Sequence, residues 1–263
     1  MSVSKVQKRN DIHFLSKPAP VKMGTEWFDI VDRDHFWIRA RYRVLSKLSK
    51  PLDQNLRIAE IGCGSGLLQY QLEKYHGLSV DGYDLDSDAL QKNISAISRL
   101  SIYNIFEKKP SLKSSYDVLF LFDVLEHLDD DKGFLESSIF HLKPEGLIYI
   151  NVPSREELRS KYDTLVGHVR RYKLYCLVSL AESCALEVIR KTYWGLPFYP
   201  ILLLRKQLMK STPDEKVLKS GMKPPGKFAN SILFLLSCLE PIPQTLLGTS
   251  AMVVARKNRT NDR

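Results

Sequence analysis

Apolar and amphipathic segments alternate along the first part of the chain. The apolar runs predict five strands, at 56–61, 78–84, 100–106, 116–122 and 146–152. Three of the segments between them have helical spacing and predict helices at 67–76, 87–97 and 132–142. Because the connections are short, this alternation predicts an α/β fold whose parallel, doubly wound sheet has right-handed crossovers.

The pattern changes after Pro153. The remaining segments predict a helix at 174–185, a strand at 186–193, apolar–basic helices at 199–210 and 228–240, a charged loop at 211–227 and a last strand at 249–257. Ahead of the sheet, 26–48 predicts a helix in its second half. We therefore divide the chain into an N-terminal arm and lid helix (1–50), a core (51–195), and a helical cap with charged loop and final strand that completes the same domain (196–263).

Composition and cysteine usage favour a cytoplasmic protein. No apolar run is long enough to span a bilayer, and the first residues are polar and lack the apolar core of a signal peptide. The cysteines, Cys63, Cys176, Cys184 and Cys238, form no CxxC pair, so we expect reduced thiols and no zinc site.

The net charge of +9 is unevenly placed. Residues 155–263 carry 19 Lys and Arg against 9 Asp and Glu, whereas residues 1–154 are nearly balanced. This distribution favours anionic partners for the last part of the chain, such as phosphorylated substrates, nucleic acid or an acidic membrane surface. A basic solvated surface is the alternative.

Glycines at positions 62, 64 and 66 follow the first apolar strand directly. Their spacing is G-x-G-x-G rather than the G-x-G-x-x-G of dinucleotide folds, and Glu60 would repel a diphosphate. A carboxylate there suits a ligand with positive charge, and Asp84, at the end of the next strand, can accept hydrogen bonds from ribose hydroxyls. The motif therefore indicates a nucleoside that is cationic or zwitterionic at its other end.

Four motifs in this order resemble the class I S-adenosylmethionine-dependent methyltransferases, in their small-molecule branch (type 11/12-like). They are EIGCGSG, DGYDLD, YDVLFLFDVLEHLDD and HLKPEGLIYINVPS, and the resemblance covers about residues 35–195. It implies a Rossmann-like, seven-stranded, mostly parallel sheet with helices on both faces and S-adenosylmethionine as the methyl donor. The donor-binding residues would then be Glu60, Gly62, Cys63, Gly64, Gly66, Asp84, Leu85, Asn104 and Asp123. The chain departs from the family at YNIFE, where Asn104 stands in place of the acid that often holds the adenine.

Candidate catalytic residues follow the fourth predicted strand and the fifth. His127 can act as a base because an imidazole titrates near neutral pH. The alternative is a structural role, in which His127 is hydrogen-bonded to the backbone at the corner between the strand and the next helix. His168, with Arg170 and Arg171, can hold an anionic substrate group, or belong to a solvated basic loop. We expect no metal. The alternative is the trio Asp123, Glu126 and His127, which resembles the divalent-ion cluster of ubiquinone-pathway O-methyltransferases and would lower the pKa of an acceptor hydroxyl.

Two further segments have functional interpretations beside structural ones. His35, Trp37 and Arg39 can close over the donor as a lid, or pack on the core. The apolar–basic segments 194–210 and 227–239 can contact a membrane surface or receive a lipid-like substrate, so a peripheral membrane location is open; packing over the sheet edge is the alternative.

The sequence thus predicts an S-adenosylmethionine-dependent methyltransferase that acts on a small-molecule acceptor such as a lipid, quinone or glycan precursor. A nucleic-acid methyltransferase is the first alternative, but the chain lacks a recognisable RNA-binding module and the Asn/Asp-Pro-Pro-aromatic signature, so nucleic acid is not an expected partner. A non-catalytic S-adenosylmethionine-binding protein is the second, and the glycine spacing disfavours a nicotinamide dehydrogenase. The acceptor atom and the oligomeric state are left open.

Overall fold

One mixed sheet forms the centre of the protein. The computed structural model describes residues 11–19, 32–221 and 225–259, with the side chains of 219–221 excepted. Within these residues the strands are β1 (His13–Phe14), β2 (Ile58–Ile61), β3 (Asp81–Asp84), β4 (Leu100–Ile102), β5 (Tyr116–Phe122), β6 (Leu142–Pro153), β7 (Leu186–Trp194) and β8 (Ser250–Lys257). Their order in the sheet is β1-β4-β3-β2-β5-β6-β8-β7. All neighbours are parallel except β8, which runs antiparallel to both β6 and β7.

Helices cover both faces of the sheet. They are α1 (Phe36–Leu48), α2 (Leu67–His76), α3 (Ser87–Gln91), α4 (Asp131–Ile139), α5 (Lys161–Leu165), α6 (Leu174–Ser183), α7 (Tyr199–Met209), α8 (Asp214–Gly221) and α9 (Lys227–Cys238). Because side chains alternate along a strand, β2 buries Ile58 in the core that contains α1 and α2. Ala59 and Ile61 lie in the opposite core, which contains α4 and α6.

The strand order reverses between β2 and β5. From β2 the chain proceeds outward to β3 and β4, and then returns to place β5 on the other side of β2. Connections leaving such neighbouring strands in opposite directions open a crevice at their carboxyl ends. The glycine turn after β2 and the turn after β5 both lie at this edge.

The predicted mostly parallel α/β sheet is confirmed, with one strand more than the seven expected. His13–Phe14, which lies in the predicted N-terminal arm, adds to the sheet edge by pairing with Ser101 and Ile102. The remainder of the arm up to residue 10, and residues 20–31, lie outside the described residues. The three-part division of the chain stays a prediction.

Two predicted elements differ from the structure for a physical reason. The helix expected over 87–97 ends at Gln91, since the side chains of Asn93 and Glu73 accept hydrogen bonds from the backbone N–H groups that follow. The loop expected at 211–227 contains α8, whose Val217 is fully buried.

Candidate functional site

A cavity of about 400 Å³ opens at the carboxyl ends of β2 and β5. The turn after β2 and the turn after β5 form its floor. The first turns of α1, the loop before α6, and the inner sides of α7 and α9 form its walls. Of the predicted donor-binding residues, Glu60, Gly62, Cys63, Gly64 and Asp123 line this cavity. Ligands of the predicted size bind in cavities of this kind at a topological switch point.

The glycine turn has a left-handed backbone. A Cβ added at Gly62, where φ is 75°, would lie 2.5 Å from a methyl carbon of Val124. One added at Gly66, where φ is 76°, would lie 2.3 Å from the side-chain oxygen of Asn93. Both positions therefore require glycine because of this chain's own backbone and neighbours. Side chains of the protein, and not only a ligand, therefore lie close to the backbone of this turn. Gly62 and Gly64 nevertheless line the cavity.

An acidic and a basic side chain at the cavity wall each have a polar atom without a partner among the described residues. Oε2 of Glu60 and Nε of Arg41 are buried and have no hydrogen-bond partner among the described residues. Burial is the main cause that raises the pKa of Glu60 to about 8. The positive charge of Arg41 opposes this shift, and the nearby carboxylates of Asp84 and Asp123 add to it. An unpaired acceptor and an unpaired donor in one cavity match the ammonium and carboxylate of a bound amino acid.

The other predicted donor-binding residues, Gly66, Asp84, Leu85 and Asn104, are not among the residues that line this cavity. Oδ2 of Asp84 accepts a hydrogen bond of 2.8 Å from the Gly64 backbone, and Oδ1 one of 3.0 Å from that of Asp86. The carboxylate of Asp84 thereby fixes the glycine turn, and each of its oxygens keeps a lone pair that can accept a further hydrogen bond. Asn104 instead caps a 3-10 turn (Ile105–Glu107) through its side-chain oxygen. Leu85, which follows Asp84, accepts a backbone hydrogen bond from Ala19.

Asp123 is held by two partners at the end of β5. Its Oδ1 accepts from the side-chain amide of Asn151 at 2.7 Å, and its Oδ2 pairs with Arg41. The indole of Trp194 donates in turn to Asn151. The backbone at Asp123 has a φ of 58°, a strained value for a residue with a side chain. This network fixes the floor of the cavity.

His127 and His168 come together on the same side of the cavity. A 3-10 turn (Leu125–His127) places His127, and the loop of His168 is joined to that turn by the hydrogen bond from Val169 N to Glu126 O. The ring centroids of the two histidines are 4.7 Å apart. Two residues from different parts of the sequence thus form one site.

Asp163 orients His168. Its Oδ1 lies 3.0 Å from Nδ1 of His168, and the guanidinium of Arg171 pairs with the same carboxylate. Burial alone would raise the pKa of Asp163, but the hydrogen bond from His168 and the positive charge of Arg171 hold it well below the usual range. Asp163 is therefore a carboxylate and accepts the Nδ1 proton, which leaves Nε2 of His168 as the basic nitrogen.

Glu126 is buried between these groups. Neither of its carboxyl oxygens has a hydrogen-bond partner in another described residue, and Oε1 lies 3.9 Å from Nε2 of His168. Burial, and then the charge of Asp123, raises the pKa of Glu126 well above its ordinary value. Glu126, His127 and His168 offer donor atoms within 4.8 Å of one another, which fits a divalent ion. The structure thus brings His168, rather than Asp123, to the alternative metal trio.

Several predicted side chains have structural partners. Arg170 pairs with Asp131, and Arg171 is occupied by Asp163, so the substrate-anion role suggested for them does not fit their contacts. In the predicted lid, His35 and Trp37 line the cavity, but Arg39 lies over the ring of Phe234 on α9.

Comparison with known proteins identifies the family. The family model described as a methyltransferase domain matches residues 32–186, more than half of the chain. The chain belongs to the methyltransferase family. This confirms the predicted class I S-adenosylmethionine-dependent methyltransferase and its methyl donor.

Among curated proteins, this methyltransferase resembles the ubiquinone biosynthesis O-methyltransferase of Rickettsia canadensis. The two are 28% identical over 129 residues, which cover 45% of this chain and 52% of that protein. The chain therefore spans about half the length of this relative.

Solved structures show the same fold. An S-adenosylmethionine-dependent methyltransferase from Archaeoglobus fulgidus superposes with a TM-score of 0.53 at 18% identity, covering 86% of this chain and 95% of that one. The Haemonchus contortus phosphoethanolamine N-methyltransferase 2, solved with S-adenosyl-L-methionine, gives 0.57 at 18% identity over 86% of this chain and 56% of that one.

Three site residues of this methyltransferase were not predicted from the sequence: Arg41 and Arg205, which line the cavity, and Asp163, which lies behind it and holds His168. Arg41 lies one helical turn after Trp37 in the predicted lid helix, which was a usable signal. Asp163 and Arg205 had none, because they reach the site only through the packing of the loop before α6 and of α7.

Proposed function

We propose that this methyltransferase transfers the methyl group of S-adenosylmethionine to a hydroxyl of a small, largely apolar acceptor. The observation that carries the proposal is the pair of histidines on the cavity wall, one of them oriented by a buried carboxylate. A hydroxyl needs a base to become a good nucleophile, whereas an amine in its free form does not. An oxygen acceptor is therefore favoured over nitrogen or carbon.

The donor would occupy the half of the cavity next to the glycine turn. S-adenosylmethionine supplies a methyl group that its positive sulfur has already activated. Glu60 and Arg41 would bind its amino-acid end, since each has an unpaired polar atom there. Asp84 would bind the ribose while fixing the turn through Gly64. Asn104 stays a prediction for the adenine, although its side chain already caps a turn.

The acceptor would occupy the half of the cavity next to His168. Nε2 of His168 would take the hydroxyl proton, because Asp163 holds the Nδ1 proton and stabilises the positive charge that develops on the ring. His127 lies against the same ring and helps to place the acceptor. Trp37, Phe198 and Leu233 wall the cavity and exclude water.

Apolar side chains dominate the acceptor half of the wall. They include Leu158, Val166, Phe198, Ile201 and Leu202. A wall of this kind suits an aromatic or lipid-like acceptor. The relative from Rickettsia canadensis is named for ubiquinone biosynthesis, and a quinone precursor is an acceptor of that chemistry.

We also propose that the outer faces of α7 and α9 contact an acidic membrane surface. Leu204 and Leu208 on α7, and Phe228 and Leu235 on α9, are all more than 60% exposed. Exposed lysines of this region, such as Lys210, supply charge complementary to anionic lipids. Within the described residues no helix is long and apolar enough to cross a bilayer.

A transfer assay tests the proposed function. Release of S-adenosylhomocysteine is followed with catechol as the hydroxyl acceptor and benzylamine as the amine acceptor. We expect turnover with catechol alone. Turnover with benzylamine alone, or donor binding without turnover of any hydroxyl compound, would contradict the proposal.

A further inference from the structure

His35 is a buried histidine of the cavity wall that has no part in the proposed transfer of the methyl group. It directly precedes α1, and only 4% of its surface is exposed. Phe36 and Trp37, the next two residues, also line the cavity, and the ring of Phe36 lies 5.0 Å from that of Phe198. His35 therefore brings a polar side chain to an aromatic part of the wall.

The backbone of α1 fixes the tautomer of the His35 ring. Nδ1 accepts a hydrogen bond of 3.2 Å from the backbone N–H of Trp37 and so caps the helix. Burial is the main cause that lowers the pKa of His35 to about 4, while the negative charge of Asp32 opposes this shift and the positive charge of Arg205 adds to it. The ring is therefore neutral at pH 7, and its single proton lies on Nε2.

Packing around the ring leaves Nε2 for a ligand. Phe36 lies against the imidazole, with ring centroids 4.5 Å apart, and the Nδ1 edge is occupied by the helix backbone. Among the residues that the structure describes, none accepts a hydrogen bond from Nε2. A donor at the wall of a cavity is satisfied by water or by an acceptor atom of the ligand.

Asn230 on α9 holds the segment that carries His35. Its side-chain oxygen accepts from the backbone N–H of Phe36 at 2.8 Å, and its side-chain nitrogen donates to the carbonyl oxygen of Asp34 at 2.9 Å. The residues on both sides of His35 are thereby fastened to α9. A donor that is held in place loses little entropy when a ligand binds, so it can discriminate between ligands.

We propose that His35 selects acceptors that carry a second oxygen able to accept a hydrogen bond, such as that of a carbonyl group, besides the hydroxyl that is methylated. Nε2 of His35 donates to this oxygen while the hydroxyl lies at His168. This rests on the proposed function, because it assigns the specificity of the same acceptor site. An apolar group at this place would leave the imidazole N–H buried without a partner, which costs more than the hydrogen bond itself contributes.

A matched pair of probes tests this specificity. Calorimetry on the full chain with saturating S-adenosylhomocysteine compares 3,4-dihydroxyphenylacetone with 4-isobutylcatechol. The two have the same shape, with a carbonyl oxygen in place of a methyl group, and the methylene next to the ring keeps their hydroxyls alike. We expect the ketone to bind about 10-fold more tightly, as for a buried donor that the hydrocarbon leaves unpaired.

Crossed variants separate hydrogen-bond donation by His35 from its capping of α1. His35→Thr keeps a side-chain oxygen that can cap the helix but has no donor at the place of Nε2. His35→Gln loses the cap at Nδ1, whereas its side-chain amide reaches the place of Nε2 and still donates. We expect His35→Thr to abolish the preference for the ketone and His35→Gln to keep part of it. His76→Gln, at an exposed position, should leave it intact.

Three results would overturn the inference. They are equal or absent binding of the two probes by the parent protein, a preference that survives His35→Thr or is lost only in His35→Gln, and a loss of S-adenosylhomocysteine affinity in His35→Thr as large as that of the ketone, which would place His35 in the donor site. Methylation of 4-isobutylcatechol is scored separately. It supports the proposed function even where the preference for the ketone fails.

Discussion

Nδ1 of His168 lies 3.0 Å from Oδ1 of Asp163, a carboxylate that is fully buried. Asp163 follows Ser160 at the start of α5, and His168 follows the end of that helix, so one short helix brings the two together. The carboxylate fixes both the tautomer and the direction of the imidazole. A base assembled in this way is ready for proton transfer before the acceptor arrives.

Substitution of His168 should reduce turnover without affecting the donor. We expect His168→Gln to lower kcat by about 100-fold or more, the usual contribution of a general base, with S-adenosylmethionine affinity unchanged. His76→Gln, which changes an exposed histidine at the end of α2, is the matched control. Asp163→Asn should also lower kcat, and it should lower the Tm because Arg171 loses a buried partner. Full turnover of His168→Gln with catechol would exclude this base.

Donor binding should release a proton from Glu60. At pH 7 the carboxyl is largely protonated, since its pKa is about 8, and an ammonium placed beside it favours the ionised form. The bound state then holds fewer protons, so donor affinity rises with pH up to about 8 through this group. Calorimetry in two buffers of different ionisation enthalpy should show release of about one proton by the parent protein and none from this group in Glu60→Gln. Equal proton release by both proteins would show that the ammonium of the donor does not bind beside Glu60.

Membrane contact should depend on the exposed leucines of the cap. We expect the parent protein to co-sediment with phosphatidylglycerol vesicles at low salt, and less at high salt. The double variant Leu204→Glu and Leu235→Glu should reduce binding more than 10-fold, because two large apolar side chains are lost from the contact. Tyr175→Glu, at an exposed position on α6, should have no effect. Absence of co-sedimentation of the parent protein at low salt would end the membrane proposal.

Turnover should survive chelation. The base mechanism needs Nε2 of His168 for the acceptor, and Asp123 is engaged by Arg41 and Asn151. We therefore expect full activity in excess EDTA. Loss of activity in EDTA that magnesium or zinc restores would instead assign Glu126, His127 and His168 to a metal ion that activates the acceptor hydroxyl.

The sequence predicted the centre of the sheet well because the central strands, such as β2 and β5, are buried on both faces. Runs such as YDVLFLF have no polar face and fit little else than a central strand. The glycine turn could be located because it follows β2 directly, and Asp84 because it is the last residue of β3. Short polar segments were harder, since the end of α3 depends on hydrogen bonds to Glu73, which lies in a different helix.

The acceptor half of the cavity could not be predicted from sequence. Asp163 and His168 were close in the chain, but only the fold shows that His168 meets His127. Arg170 and Arg171 had the composition of an anion site, yet tertiary contacts commit both to acids. For Arg205 the error was the reverse. Its position in an apolar–basic helix favoured an exposed residue at a membrane surface, whereas the packing of α7 places it in the cavity lining.

The donor site is the claim on which the rest depends, and binding of donor fragments tests it most directly. Calorimetry compares S-adenosylhomocysteine with 5′-methylthioadenosine, which lacks the amino-acid end, and Asp88→Asn on the exposed side of α3 is the control. We predict that Asp84→Asn weakens both ligands by roughly 10- to 100-fold and that Glu60→Gln weakens S-adenosylhomocysteine alone. Unchanged affinities in Asp84→Asn, or an equal loss of both ligands in Glu60→Gln, would contradict the account.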